Sequence, residues 1–401
     1  MYLVAMSADT TPLIVGNTIT LDIGAIAHGG HFVARHEGKV IFVRHAITGE
    51  KAIVKITSTS KKLAFGDAIE IINVSKDRVE APCTYAKPEG CGGCDFQHID
   101  IKAQAKLKSI VIEEQFSRLA KMEIKPEVLR VDPESGLHWR TRVNFAVSNK
   151  GKVGLYAAKS RRVVEIDKCL LAVEEINDLD IFERHWKGND RLNIAVSSIK
   201  ERNLSRGGRS ISGPTQLNET FDDYIYQVSP NSFWQGHKSA PKKLVDIAMG
   251  FLKPQPGEKV CDLYGGAGLF TAPILKAVGD RGEVHLIESD ERAVKDASKI
   301  FHKYSNVTLY LGRVEKILPL METVDAILLD PPRSGAGELV VMQMIEKKPR
   351  VIVYVSCDPA SLARDSMLLN DKGYKLDEIV GIDLFPMTHH VECVAKFSLI
   401  K

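Results

Sequence analysis

The stretch Lys259-Val260-Cys261-Asp262-Leu263-Tyr264-Gly265-Gly266-Ala267-Gly268-Leu269-Phe270 decides the fold of the C-terminal half. An apolar run reads as a buried strand, and the glycines after it let the backbone turn sharply into a helix and approach a ligand closely. A helix around 240–252 precedes this unit. After it come helix 269–277, strand 283–288, helix 290–302, strands 307–311 and 324–329, helix 338–346, strand 350–356 and helix 360–370. That alternation predicts βαβ units and an open parallel sheet. Two last strands, 375–384 and 391–399, have no helix between them and are expected to pair antiparallel at one edge.

The chemistry-bearing residues cluster at the ends of these strands. The glycine turn lacks the Lys-Ser/Thr of a phosphate-binding P-loop. Glu288, closing Leu286-Ile287-Glu288, stands where an acid accepts hydrogen bonds from ribose hydroxyls, which suits NAD and S-adenosylmethionine equally. Asp330-Pro331-Pro332-Arg333 follows the apolar run Ala326-Ile327-Leu328-Leu329. The prolines stop the strand and present the carboxylate, either as a cap or as an acceptor for a base N–H. Val351-Ile352-Val353-Tyr354-Val355-Ser356 runs into Cys357-Asp358-Pro359, so a thiol sits where open α/β sheets bind ligands. A thiol of ordinary pKa needs a cation or a helix N-terminus to act as a nucleophile, and the helix starting near Pro359 offers the latter. A lone cysteine is more often structural, and Cys261 and Cys393, inside apolar strands, read that way. Glu392, in His389-His390-Val391-Glu392-Cys393, is either a paired core charge or a base with a pKa raised by burial. A metal role for His389 and His390 lacks further ligands nearby.

Upstream, residues 13–75 read as short strands punctuated by glycines, the pattern of a small β-barrel. A cysteine-rich loop, 83–94, precedes a helix over about 100–121, whose buried face is expected to include Leu107, Ile110, Val111 and Leu119. Strands return from Trp139 to about Val228, with a hairpin turn at Asn149-Lys150-Gly151. Cys83, Cys91 and Cys94, joined by the distant Cys169, form a thiolate set suited to structural zinc or to an iron–sulfur cluster. The spacing of three close and one remote favours the cluster.

Composition bounds the class. At 401 residues, two or three domains are expected. The net charge of +3 does not identify a partner, although residues 138–215 carry 15 Lys+Arg against 9 Asp+Glu. Met1–Thr11 does not read as a signal peptide, and no apolar run is long enough to span a membrane. Seven cysteines without a secretion signal imply a reducing compartment, the cytosol.

Together these stretches resemble the RNA uridine-C5 methyltransferases, enzymes that make 5-methyluridine in transfer or ribosomal RNA. The resemblance covers nearly the whole chain and rests on Leu329-Asp330-Pro331-Pro332-Arg333, Tyr354-Val355-Ser356-Cys357-Asp358-Pro359 and His390-Val391-Glu392. It implies an N-terminal OB-like TRAM barrel (10–75), a central α+β iron–sulfur domain (76–230) and a C-terminal Rossmann-type methyltransferase domain (231–401). By that resemblance Cys357 is the nucleophile and Glu392 the proton acceptor. Gln235, Tyr264, Glu288 and Asp330 bind S-adenosyl-L-methionine, and Cys83, Cys91, Cys94 and Cys169 ligate a 4Fe-4S cluster, with zinc the alternative. The implied partner is RNA, with no membrane, and a monomer is expected. Two features depart from the family: a longer gap between Cys83 and Cys91, and Leu269 where some relatives carry asparagine. The competing readings are a cytosine-C5 RNA methyltransferase and a non-enzymatic RNA-binding or assembly factor. Arg333 stands where the cytosine enzymes place cysteine, and the pairing of Cys357 with Glu392 disfavours a non-enzyme.

Overall fold

The computed structural model describes residues 13–188 and 190–400. Met1–Thr11 and the start of the 10–75 segment lie outside them. The C-terminal half is built on an eight-stranded sheet. Its order is Val307–Leu311, Glu283–Glu288, Lys259–Leu263, Ala326–Leu329, Val351–Ser356, Glu392–Leu399, Tyr374–Asp383 and Glu127–Arg130. The first five strands are parallel, and Glu392–Leu399 runs antiparallel to both its neighbours.

These strands are apolar on both faces because both faces are covered. Val260, Leu328, Val353, Val355 and Val394 point into one core, shared with helices Ala240–Leu252, Thr271–Val278 and Glu291–Phe301. Their alternates Cys261, Leu329, Ile352, Tyr354 and Cys393 point into the other, beneath Gly337–Glu346 and Pro359–Asp371. Cys261 and Cys393 are fully buried, as their apolar settings implied. Strand order reverses between Lys259–Leu263 and Ala326–Leu329, which opens a crevice at their carboxyl ends. The final antiparallel pair forms as expected, but it does not make the edge. Glu127–Arg130 adds outside it, parallel to Tyr374–Asp383.

The N-terminal segment is a six-stranded curled sheet around Ile19, Phe32, Ile41, Val54 and Ile56. A third sheet, of six strands, is formed by residues 142–212 and includes the Arg142–Val147/Val153–Tyr156 hairpin. The hairpin Leu217–Phe221/Tyr224–Val228 packs on the C-terminal core through Phe221, Tyr226 and Val228. Among the described residues no helix is long and apolar enough to cross a membrane.

Helix Ile101–Gln115, capped by the Asp100 carboxylate, wedges between barrel and sheet. Ala103 and Val111 join the barrel core, and Ile112 joins the sheet core. Val111 is buried and Leu107 and Leu119 are partly buried, as expected, but the rest of the face differs. Ile110 is 46% exposed, whereas Gln104, Lys108 and Gln115 are buried. Lys108 is tolerated there because its Nζ lies 2.5 Å from Asp383 Oδ1 and donates to the Phe385 carbonyl at 3.0 Å. Hydrophobic periodicity cannot find a polar side chain that is buried by pairing. Removing one partner leaves the other charge uncompensated in the interior. Lys108→Ala is therefore expected to destabilise the protein by about 3–5 kcal/mol in urea unfolding, whereas Ile110→Ala on the same helix shifts it by under about 0.5 kcal/mol.

Candidate active site

Tyr264 and Asp330 follow the two strands that flank the switch point, so they sit at the mouth of the crevice. Asp330 is tied in place by its N–H, which donates to the Leu263 carbonyl at 3.2 Å. Tyr264 takes a left-handed backbone with φ of +60°, a strained conformation for a bulky residue. Burial and the carboxylates of Glu315, Asp365 and Glu288 push its phenol up to about 12. Gly268 has no room for a side chain, since a Cβ would lie 2.4 Å from Phe301. The Glu288 carboxylate accepts from the backbone N–H of Gly266 at 3.1 Å and of Asp290 at 2.7 Å, which clasps the glycine loop to the next strand.

Asp262, not singled out as a site residue by the sequence reading, also stands at the end of strand Lys259–Leu263. It is fully buried; Thr271 Oγ1 donates to its Oδ2 at 2.6 Å, while Oδ1 has no partner. Burial pushes its carboxyl up to about 7. A carboxylate closing an apolar strand before a glycine turn was the available signal.

Gln235 lies on the loop 231–236, ahead of helix Ala240–Leu252. That loop is pinned to the glycine turn through Trp234, which packs on Tyr226 at 5.2 Å between ring centroids; the Tyr226 hydroxyl donates to the Leu269 carbonyl. Of the adjacent aromatics, Trp234 is core and Phe233 is 69% exposed.

The antiparallel register brings Cys357 and Glu392 together. Ser356 pairs with Cys393, so the next step of the ladder sets Cys357 opposite Glu392. Glu392 is buried. Desolvation and the neighbouring Asp330 charge hold its carboxyl well above the usual range, and Arg333 counteracts them. Burial, then Glu392 and Asp330, push the Cys357 thiol up to about 11. Cys357 lines a cavity of about 90 Å³ with His28, Arg333, Asp358, His389 and His390. His390 is kept neutral, its pKa lowered to about 3 by burial and by His389 and Arg333, so its Nε2 accepts from Arg333 Nη2 at 3.4 Å. His389 Nδ1 donates to Asp95 Oδ2 at 2.6 Å.

The four cysteines converge elsewhere. Cys83, Cys91, Cys94 and Cys169 line one cavity of about 20 Å³. Gly92 carries no side chain because a Cβ would meet Ala158 N at 2.7 Å, so the Cys-Gly-Gly-Cys loop lies flat on strand Val153–Tyr156 and its extension. Gln97 Nε2 donates to Cys94 Sγ at 3.1 Å, and the Gly93 N–H donates to Cys91 Sγ at 3.4 Å. Burial raises the Cys83, Cys91 and Cys94 thiols, Cys91 to about 11. Among the described residues no three His, Cys, Asp or Glu side chains stand at metal-holding spacing. Neutral thiols have no attraction that would draw them closer; thiolates on a cation do.

Two protein families match the chain: the TRAM domain over residues 12–69, and the tRNA (Uracil-5-)-methyltransferase family over residues 301–398. An RNA methyltransferase of Streptomyces avermitilis is 40% identical, covering 95% of this chain and 98% of that one. The 23S rRNA (uracil(1939)-C(5))-methyltransferase RlmD of Shewanella sp. (strain MR-7) is 30% identical, covering 95% and 96%. The chain belongs to the RNA uracil-C5 methyltransferase family. Its fold is that of the Pyrococcus abyssi tRNA (uracil-54, C5)-methyltransferase solved with S-adenosyl-L-homocysteine, with a TM-score of 0.71 at 23% identity over 94% of this chain and 99% of the other.

In this uracil-C5 methyltransferase the charges around Cys357 predict how the thiol titrates. An ionised Glu392 opposes formation of the adjacent thiolate, so its neutral isostere should ease it. Glu392→Gln is expected to move the pH midpoint of iodoacetamide alkylation at Cys357 downward from about 11, with alkylation at alkaline pH roughly three- to tenfold faster.

Proposed function

We infer that this enzyme transfers the methyl group of S-adenosyl-L-methionine to C5 of a uridine in ribosomal or transfer RNA. In this reading Cys357 is the nucleophile and Glu392 the base. The observation that carries it is the ladder register that sets a thiol opposite a buried carboxyl, with Asp330 ending the adjoining parallel strand.

C5 of uracil is too weakly nucleophilic to take a methyl group unaided. Addition of the Cys357 thiolate to C6 moves the ring π electrons into an enolate and makes C5 the nucleophile. S-adenosyl-L-methionine, when bound, supplies an electrophilic methyl on a sulfonium. Glu392 then removes the C5 proton, C5=C6 re-forms, and the thiolate leaves C6. Burial suits Glu392 to this task, because a carboxylate with a raised pKa holds the proton it takes. Arg333 is the cation beside both groups: its charge lowers the pKa of each and favours the anionic forms the reaction needs.

For the cofactor, Glu288 would accept from ribose hydroxyls, and Tyr264, Asp330 and Gln235 would line the crevice. Asp330, at the sheet end, would also accept from a base N–H. The target base must leave its stack to enter such a pocket, and the exposed Phe233 ring beside Gln235 is suited to stack on it.

Labelled S-adenosyl-L-methionine with unmodified bulk RNA tests the reaction. Label in 5-methyluridine is expected; label in 5-methylcytidine, or none, would sink the reading. Cys357→Ala should lose all turnover. Glu392→Gln should slow release by at least about 10²-fold and accumulate a covalent protein–RNA complex resistant to denaturant.

The cysteine pocket we read as a metal centre held by Cys83, Cys91, Cys94 and Cys169. The four-thiol donor set and the N–H···S hydrogen bonds fit such a centre. The sequence resemblance favours a 4Fe-4S cluster over zinc. The present cavity has room for an ion, so a cluster would require the 83–94 loop to open. The centre would supply a cross-link between that loop and the distant Cys169. Anaerobically purified protein is expected to contain iron and acid-labile sulfide in near-equal amounts; stoichiometric zinc without iron would refute the cluster.

A further inference from the structure

The cavity above Cys357 is not built by the methyltransferase domain alone. The turn joining Ile26–Ala27 to His31–His36 in the N-terminal barrel reaches over it. Gly30 in that turn has φ of +77°, and a Cβ there would lie 2.5 Å from the Cβ of His389, so barrel backbone presses directly on the 384–391 loop. His28, from the same turn, lines the cavity with Cys357. Its Nε2 lies 3.1 Å from Asp358 Oδ2, which in an ionised carboxylate can only accept, so the imidazole donates.

Asp358 is held at both oxygens. Oδ1 accepts from the Ser361 N–H at 2.7 Å and caps helix Pro359–Asp371, which fixes the strand-to-helix turn that carries Cys357. Oδ2 takes the imidazole from the barrel. Burial alone would raise this carboxyl, but the His28 and Ser361 hydrogen bonds outweigh it and bring it to about 2. A carboxylate one residue from the thiol is therefore ionised at neutral pH, and its charge is among those that oppose the thiolate.

We propose that His28 is a positioning residue of the methyl-transfer reaction, supplied to the active site by the barrel. Its hydrogen bond to Asp358 Oδ2 steadies the Cys357 turn and offsets the carboxylate charge beside the thiol. The role rests on the reading of Cys357 as nucleophile. The other charged or titratable groups around the thiol are Glu392, Cys393, His389 and His390 from the last strand and its loop, and Asp330 and Arg333 from the turn after Ala326–Leu329. None of these contacts Asp358 Oδ2 as His28 does. Docking of the barrel thereby contributes to thiol reactivity.

The test uses full-length His28→Ala and His28→Gln. The readouts are the pH dependence of iodoacetamide alkylation at Cys357, followed by mass spectrometry of its peptide, and kcat and KM on unmodified RNA. The His28 side chain is 39% exposed, so neither change disturbs the core. His28→Ala should alkylate Cys357 roughly three- to tenfold more slowly at pH 8, with a comparable loss in kcat and KM for RNA within about twofold. His28→Gln, whose amide can donate to the same oxygen, should recover most of both. Unchanged alkylation in His28→Ala overturns the proposal, and so does a loss confined to KM, which would make His28 an RNA contact. If Cys357→Ala still turns over, the nucleophile reading fails. Slowed alkylation in His28→Ala would even then support the bracing of the Cys357 turn.

Discussion

Six residue pairs join Val351–Ser356 to the antiparallel strand Glu392–Leu399, and the site depends on that ladder. Every residue of Val351–Ser356 is buried, so a slip of one residue would turn its valines out of one core and its tyrosine out of the other. The register is thus held by hydrophobic burial, a force with no chemical specificity, yet it sets the thiol against the carboxyl. The parallel pairing of Ala326–Leu329 with Val351–Ser356 brings Asp330 to the same end of the sheet. Glu392 and Asp330 both oppose ionisation of Cys357, and Asp330 opposes that of Glu392, because the thiol and the carboxyl are desolvated and close to these charges.

Around this ladder the molecule is one mechanical unit. Helix Ile101–Gln115 gives one flank to the barrel and the other to the sheet, and its buried Lys108 is matched to Asp383 just before the 384–391 loop. The same loop takes Gln104 at the Met387 N–H and Asp95 at His389. Asp95 follows Cys94 directly, and Arg44 of the barrel lies 3.8 Å from the Asp95 carboxylate. The barrel, the cysteine loop and the segment leading to Glu392 are therefore in contact through a short chain of charged and polar groups. Although burial would raise it, the His389 partner holds Asp95 below the usual carboxylate range, as expected of a carboxylate that keeps its charge for an ion pair.

Much of this was legible in the chain itself. The alternation after Lys259 and the uniformly apolar strands announced a parallel sheet, and strand ends carrying Glu288, Asp330 and Cys357 announced a site at its carboxyl edge. Local signals sufficed there because turn chemistry and period-two burial act over a few residues. They failed for helix Ile101–Gln115, where Lys108 is buried by an ion pair with a residue 275 positions away. Local signals cannot separate Phe233 from Trp234 either, since only packing against Tyr226 distinguishes a core indole from an exposed ring.

The sequence by itself determined the elements, the strand-end residues and the family resemblance, because these follow from short-range patterning and motif. Only the tertiary structure decided that Cys357 faces Glu392, that Glu127–Arg130 closes the sheet edge and that four scattered cysteines share one cavity. It alone brought His28 of the barrel onto Asp358. These are pairings between residues distant in sequence, and the burial and desolvation that select them exist only once the chain has folded.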